Sequence, residues 1–167
     1  MEQRQRYPSV SPVLFKAMMS VEAALHEAVE PGLLHLVKLR ASQINGCAYC
    51  IDMHWKDARS GGESEQRLYS LDAWRESPFY TEKERAALAW TEALTRIEET
   101  HAPDEDYAAL LGHFSAKQAV DLSWAIAAIN AWNRMGIGFR AAPGVVQARG
   151  AGGGGASARV TEVCSGL

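Results

Sequence analysis

The amino-acid sequence predicts an all-α protein that folds as a single helical bundle over about residues 1–143. Apolar residues recur at helical spacing in several segments, and prolines and capping-box patterns mark where helices begin. No stretch alternates between apolar and polar residues with period two, as a half-buried strand would. The hydrophobic content of 47% and the charged content of 22% are close to globular averages. A chain of this length can therefore build a core without disulfide bonds.

The first predicted helix runs from Ser11 to Ala28. Ser11 is a candidate N-cap, and Pro12 occupies the first helical position, where proline is favoured. Pro31 opens the second helix. We expect this helix to end at the Asn45-Gly46 pair, because glycine readily takes the left-handed conformation that closes many helices.

A third helix is predicted to begin at about Cys47 and to stop at Gly61-Gly62. A shorter helix follows from about Ser64 and ends before Pro78. Glycine and proline are the two residues least compatible with a helix interior, so they define both of these boundaries.

Two capping boxes organise the second half of the predicted domain, one from Thr81 to Glu84 and one from Ser115 to Gln118. In such a box the two side chains satisfy backbone N–H groups that the first helical turn leaves unpaired. The first box precedes a long periodic segment. The second leads into an apolar helix from Val120 to Arg134. Between them, Pro103-Asp104 opens a short helix that Gly112 closes.

The last segment, residues 144–167, is predicted to be a glycine-rich flexible tail outside the domain. It has no sustained periodicity, and four consecutive glycines lie between Ala151 and Ala156. Cys164 lies in this tail and has no motif around it.

Charge and hydropathy exclude several classes of protein. The net charge is −3 and there is no basic tract, so we expect no nucleic-acid partner. No apolar run approaches the roughly 20 residues of a membrane span, so we expect no membrane association. The segment from Met1 to Tyr7 is polar and does not resemble a secretory signal, so a cytoplasmic location is expected. A closely spaced cysteine pair in a reducing compartment indicates redox chemistry or metal binding.

The informative motif is Cys47-x-x-Cys50 with His54 one helical turn further on. If Gly46 ends one helix and Cys47 starts the next, both cysteines lie in a first helical turn. Unpaired N–H groups and the helix dipole favour a thiolate there. Positions 47, 50 and 54 share one helical face, so an imidazole can exchange a proton with a sulfur. The pair can also cycle between dithiol and disulfide.

Two other interpretations of this motif remain open. Cysteine is often only a small buried hydrophobe. A structural zinc site is the other alternative, with Cys47, Cys50 and His54 as three ligands and His35 as the fourth. Asp52 and Asp57 lie on the same predicted helix as His54, and we expect both to be solvated.

Three stretches resemble the AhpD-like alkylhydroperoxidases of the carboxymuconolactone decarboxylase superfamily. They are Leu33 to Cys50 followed by His54, Glu84 to Leu94, and Ile129 to Arg134. The resemblance covers about residues 8–142. The core Ile-Asn-Gly-Cys-x-x-Cys-x-x-x-His is far more specific than a lone Cys-x-x-Cys. The resemblance implies an all-α fold that assembles into homo-oligomers, often trimers or hexamers.

The implied activity is hydroperoxide reduction in antioxidant defence. By resemblance, Cys50 is the attacking thiolate, Cys47 is the resolving cysteine, and no organic cofactor is bound. A dithiol partner, either a lipoyl-bearing or a thioredoxin-like protein, then reduces the disulfide. The helix dipole alone would favour Cys47 as the more acidic thiol, because Cys47 lies nearer the helix N-terminus.

The chain departs from the family pattern at two positions. Twelve residues before the first cysteine the family usually has a glutamate in a proton relay, and here that position is His35. Imidazole titrates near about pH 6.5 rather than about 4.3, so we expect weaker peroxidase activity or a higher pH optimum. The relay histidine between the cysteines is replaced by Tyr49, whose phenol is a poor base near neutrality.

Three function classes follow. The first is a cysteine-based peroxidase, with catalytic residues Cys50, Cys47, His54 and His35. The second is a decarboxylase or lactone enzyme of the superfamily's other branch, which does not depend on a Cys-x-x-Cys pair. The third is a non-catalytic thiol redox sensor or zinc-binding protein.

Overall fold

A computed structural model of the chain describes residues 2–145. Over this range the chain forms nine α-helices and one short 3-10 helix and contains no strand, which confirms the all-α prediction. In chain order the α-helices are α1 (Tyr7–Val10), α2 (Pro12–Ala28), α3 (Pro31–Asn45), α4 (Ala48–Ser60), α5 (Glu65–Tyr69), α6 (Glu82–Thr95), α7 (Ile97–Thr100), α8 (Asp104–Leu111) and α9 (Ala116–Phe139). The 3-10 helix, Leu71–Ala73, follows α5.

Most predicted helix ends are confirmed by their caps. Both capping boxes are present, at the starts of α6 and α9. Three details of the prediction were wrong. The helix predicted from about Ser64 to before Pro78 ends at Tyr69 as α5, and the separate 3-10 helix Leu71–Ala73 follows it. Ser11 stands at the N-cap position of α2, but its side chain makes no capping hydrogen bond. Helix α9 continues to Phe139, past the predicted end at Arg134. The short helices α1 and α7 were not predicted, because four residues are too few to show a helical period.

Helix α3 is the centre of the bundle. It packs against α4, α6 and α9, and it buries charged as well as apolar side chains. Lys38 on α3 is only 2% exposed and is paired with Glu22 of α2. Glu22 also accepts a hydrogen bond from Trp132 Nε1 of α9 at 2.9 Å. A charge buried this deeply is tolerated because it has a partner of opposite sign.

The end of the described chain folds back onto α4. The backbone N–H of Gly144 donates to Asp52 Oδ2 at 2.9 Å. From residue 146 onwards the predicted flexible tail, with Cys164, lies outside the described residues. No helix among the residues described is long and apolar enough to cross a membrane.

Glu92 on α6 forms hydrogen bonds with α3 and with the segment that follows the 3-10 helix. It receives hydrogen bonds from Arg40 Nε of α3 at 2.8 Å, from Trp74 Nε1 at 2.8 Å and from Arg75 at 2.7 Å. Burial alone would raise the pKa of this carboxyl, but the hydrogen bonds from Trp74 and Arg40 outweigh it and hold the pKa below its usual value. Ionised Glu92 therefore stabilises the folded state.

We expect Glu92→Gln to lower the free energy of unfolding at pH 7 by about 2–4 kcal/mol, because it leaves the guanidinium of Arg40 without its counter-ion. A carboxyl whose pKa is lower in the folded than in the unfolded state contributes its full stabilisation of the fold at pH values above the unfolded pKa of about 4.3. That contribution is lost as the pH falls through the folded-state pKa. The difference between wild type and variant, measured by urea unfolding, should therefore shrink below about pH 4. A difference that does not change with pH would contradict this assignment.

Candidate redox site

The turn between α3 and α4 places the two cysteines. Gly46 adopts the left-handed conformation, with φ 71° and ψ 30°, which glycine takes without steric cost. Its N–H and that of Cys47 bond back to carbonyl groups of the last turn of α3, including Ser42 O at 3.0 Å from Cys47 N. Helix α3 therefore ends abruptly and α4 starts with Cys47 as its N-cap, as predicted.

Cys47 and Cys50 are joined by a disulfide in the first turn of α4. Their Cα atoms are 5.3 Å apart, within the range that a disulfide requires. Cys47 Sγ also accepts from the backbone N–H of Cys50 at 3.4 Å. The cysteines are only 1% and 2% exposed. The pair thus combines the reversible bond that the spacing predicts with a helix N-terminus that favours a thiolate after reduction.

A partly buried network of amide side chains links this turn to α9. Asn45 Nδ2 donates to Asn130 Oδ1 at 2.9 Å and to Asn133 Oδ1 at 2.8 Å. Asn133 Nδ2 in turn donates to Ser42 Oγ at 3.0 Å. Because these bonds cross from the end of α3 to the middle of α9, they hold the cysteine turn in one position against that helix.

Gly136 on α9 faces the disulfide. A Cβ atom at this position would lie 3.0 Å from Cys47 Sγ and 3.5 Å from Cys50 Sγ. The first distance is well inside ordinary van der Waals contact. A glycine in the last turn of α9 therefore leaves the two sulfurs room that a methyl group would crowd.

We expect Gly136→Ala to destabilise the protein relative to Gly138→Ala, by about 1–3 kcal/mol. Both positions are on α9, and alanine adds the same helix propensity to each. At Gly138, however, a Cβ would meet nothing within 4 Å. Urea unfolding of the two variants isolates the steric cost at the disulfide. If alanine stabilises the protein equally at positions 136 and 138, the close approach of Gly136 to the two sulfurs is contradicted.

An apolar shell surrounds the cysteines. Its buried and half-buried members come from α1, α2, α3, α4, α9 and the segment after α9: Tyr7, Phe15, Met19, Ala41, Tyr49, Met53, Ile129, Trp132, Met135, Phe139 and Ala141. Tyr7 packs against Phe139 in a tilted arrangement, with ring centroids 5.6 Å apart. Burial, and then the neighbouring Tyr49, raise the pKa of Tyr7 to about 12, so its phenol stays neutral. Tyr49 is itself buried within this shell.

A second group of functional side chains lies further along α4. His54 and Asp57 of α4 meet His35 of α3, and one ligand atom from each lies within 4.8 Å of the other two. We call these three residues the histidine cluster. His54 is 5% exposed and Asp57 is 4% exposed. The prediction that Asp57 is solvated was therefore wrong, because α3 covers that face of α4.

A cavity of about 200 Å³ opens beside the histidine cluster. His35 forms part of its wall. The other lining residues lie at the start of α3 and at or just after the end of α4: Pro31, Gly32, Ala58, Gly61, Gly62 and Glu63. The cavity gives the His35 side of the cluster a route to solvent, whereas the disulfide is enclosed by the apolar shell.

The structure brings the predicted residues together in two groups. Cys47 and Cys50 are bonded to each other, so the zinc set that combined both cysteines with His54 and His35 is not formed in this state. His35 and His54 do meet, as expected for a relay. Sequence reasoning missed Asp57 and Gly136. Asp57 lies three residues after His54 and so shares its helical face, which is a signal that the sequence contained. Gly136 lies two residues beyond the predicted end of the last helix at Arg134, so its place inside α9 was not expected.

Comparison with known proteins agrees with the predicted family and fold. The sequence profile of the carboxymuconolactone decarboxylase family matches residues 12–93. The uncharacterised protein YdfG of Bacillus subtilis is 45% identical over 145 residues, which is 85% of this chain and 99% of that protein.

Two solved structures are similar. A protein of unknown function from Agrobacterium tumefaciens, described as a candidate antioxidant defence protein AhpD, superposes with a TM-score of 0.84 at 48% identity. The match covers 87% of this chain and 100% of that one. A peroxidase-related protein from Ralstonia eutropha with an alkylhydroperoxidase AhpD core gives a TM-score of 0.72. It is 20% identical and the match covers 81% of this chain and 73% of that one, so it supports the fold alone.

Proposed function

Since the chain belongs to the carboxymuconolactone decarboxylase family, as an AhpD-like member, we propose that it is a cysteine-based peroxidase. In this proposal the enzyme reduces hydroperoxides by cycling Cys47 and Cys50 between dithiol and disulfide. The observation that carries the proposal is the disulfide at the N-terminus of α4, with the histidine cluster further along α4 and on the facing helix α3. Decarboxylation of a lactone or acid would give no role to this bonded pair.

In the first chemical step, Cys50 is the nucleophile. After reduction of the disulfide, His54 takes the proton of the Cys50 thiol, and the thiolate attacks the terminal peroxide oxygen. The O–O bond breaks, Cys50 becomes a sulfenic acid, and the peroxide is reduced to an alcohol. His54 returns the proton to the alkoxide that leaves. His54 lies one helical turn after Cys50 on α4, which suits this exchange.

The second step closes the cycle. The thiol of Cys47 attacks the sulfenic sulfur of Cys50, water leaves, and the disulfide forms again. A dithiol partner then transfers two electrons and two protons to the pair through a mixed disulfide. A lipoyl-bearing or thioredoxin-like protein has the required chemistry.

Asp57 gives the relay a carboxylate that the sequence comparison with the family did not anticipate. The family's glutamate position is His35, yet Asp57 brings an acidic side chain to the same cluster from α4. We propose that Asp57 orients an imidazole of the cluster, as carboxylates do for catalytic and metal-binding histidines elsewhere. Asp57 is therefore a positioning residue rather than a group that contacts the peroxide.

The apolar shell favours an organic hydroperoxide over hydrogen peroxide as substrate, because the sulfurs are lined by aromatic and methionine side chains. Homo-oligomer formation stays a prediction. Exposed apolar side chains on α9 support it, with Val120 55% and Trp124 62% exposed. A cytoplasmic location also stays a prediction.

A thiol count on reduced, desalted protein tests the proposal. The chain has three cysteines, and one equivalent of cumene hydroperoxide should consume two thiols and yield one equivalent of alcohol. Peptide mapping should place the new disulfide between Cys47 and Cys50 and leave Cys164 free. Retention of all three thiols would contradict the proposal.

A further inference from the structure

The histidine cluster has the composition of a metal site. It presents two imidazoles and one carboxylate, and their ligand atoms lie within 4.8 Å of one another. Around a tetrahedral Zn²⁺ with bonds of 2.0–2.2 Å, ligand atoms are about 3.4 Å apart. Small side-chain rotations of His35, His54 and Asp57 would therefore bring all three onto one ion.

The positions of the ligands make the set rigid. His54 and Asp57 are three residues apart on α4, so they project from the same helical face. His35 comes from α3, which packs closely against α4. Sites of this kind, built from facing helices with one pair at i and i+3, recur in helical bundles. Asp57 is 4% exposed, so its carboxylate lies inside the bundle rather than on the surface.

The chemistry of the ligands selects the class of ion. Imidazole nitrogen favours divalent transition metals over Mg²⁺ and Ca²⁺, which prefer oxygen. Three protein ligands leave a fourth position for water. The cavity of about 200 Å³ that His35 lines supplies an entry path and room for that water.

We propose that His35, His54 and Asp57 form a binding site for a divalent transition-metal ion, with Zn²⁺ as the best-matched ion, and that the disulfide is not part of this site. A neutral imidazole has one nitrogen with a free lone pair. When that nitrogen of His54 binds a metal, the other nitrogen carries hydrogen, so the ring cannot accept the thiol proton of Cys50. Metal occupancy therefore switches hydroperoxide reduction off. This second consequence rests on the proposed peroxidase function, whereas the site itself does not.

Calorimetric titration of untagged protein with zinc chloride tests the site. The protein is used in its disulfide form, where the cysteines of the pair cannot act as thiolate ligands. We expect saturable 1:1 binding to wild type, and a loss of affinity of at least about tenfold in both His35→Ala and Asp57→Asn. His113→Ala is the matched control, because His113 is exposed and lies between α8 and α9. Its affinity should equal that of wild type.

Two results would overturn the site: no saturable binding to the wild-type protein, or equal affinity in wild type and His35→Ala. His35 is only half-buried, so this variant can be compared even if Asp57→Asn fails to fold. Cobalt(II) substitution gives a second readout, since a three-ligand site should produce the intense visible absorption of low-coordinate cobalt in wild type and not in His35→Ala.

A single-turnover assay tests the regulatory consequence. Reduced, desalted protein is mixed with cumene hydroperoxide with and without one equivalent of zinc chloride, because a dithiol reductant would itself bind zinc. We expect zinc to suppress alcohol formation in wild type and to lose this effect in Asp57→Asn. Zinc binding to the cluster without inhibition would overturn the regulatory part and the role of His54 as base, while the metal site would stand. Inhibition that persists in Asp57→Asn would place the inhibitory metal on the reduced cysteines.

Discussion

Replacing Cys50 with serine is expected to abolish hydroperoxide turnover, leaving at most about a thousandth of the wild-type rate. A covalent mechanism loses its first step when the nucleophile is removed, and a serine hydroxyl is not ionised near neutral pH. The measurement is hydroperoxide consumption with dihydrolipoamide as the electron donor. Because serine is close in size to cysteine, the packing against Gly136 should survive, and an unchanged circular dichroism spectrum would verify the fold.

Cys47→Ser is the matched control for this prediction. It should also fail to turn over, because no resolving thiol remains. It should nevertheless reduce one equivalent of hydroperoxide and accumulate a sulfenic acid on Cys50 that dimedone traps. The opposite pattern, with the sulfenic acid on Cys47 in the Cys50→Ser protein, would reverse the two roles. It would also indicate that the position of Cys47 at the helix N-cap outweighs the proposed proton transfer from Cys50 to His54.

The second large effect is expected for His54→Gln, which should slow the reaction of reduced protein with hydroperoxide by about 10²–10⁴-fold. Glutamine can form hydrogen bonds but cannot take the thiol proton and return it to the leaving alkoxide. Stopped-flow measurement of the oxidation step separates this loss from any effect on reduction by the dithiol. His113→Gln, at an exposed position, should leave the rate unchanged.

A smaller effect of about tenfold is expected for Asp57→Asn, because asparagine keeps the shape of the side chain and loses its charge. If Asp57→Asn alone keeps the wild-type oxidation rate, His54 remains the base and Asp57 has no part in the mechanism.

For the His54→Gln variant, an unchanged oxidation rate would contradict the proposed proton relay.

Local signals made much of the fold predictable. The capping boxes at Thr81 and Ser115 and the glycine at position 46 act through backbone hydrogen bonds within a few residues. Their outcome therefore does not depend on the rest of the chain. The position of the cysteine pair follows from the same kind of signal, because Gly46 must end α3 before Cys47 can start α4.

The features that the sequence did not reveal are tertiary. Asp57 looks like a solvated residue on an amphipathic helix, and only the packing of α3 on α4 buries it beside His35 and His54. The role of Gly136 depends on how closely α9 approaches the two sulfurs, which helical periodicity does not specify. The amide network from Asn45 to α9 joins residues more than eighty positions apart, so no local pattern could indicate it.

The central claim is most directly tested by steady-state consumption of cumene hydroperoxide by the wild-type protein with dihydrolipoamide as reductant. The proposed mechanism predicts catalytic turnover, with one alcohol formed per dithiol oxidised and a rate higher than with hydrogen peroxide. A reduced protein that is folded, has both cysteines of the pair free, and still consumes no hydroperoxide above the uncatalysed rate would contradict the peroxidase assignment.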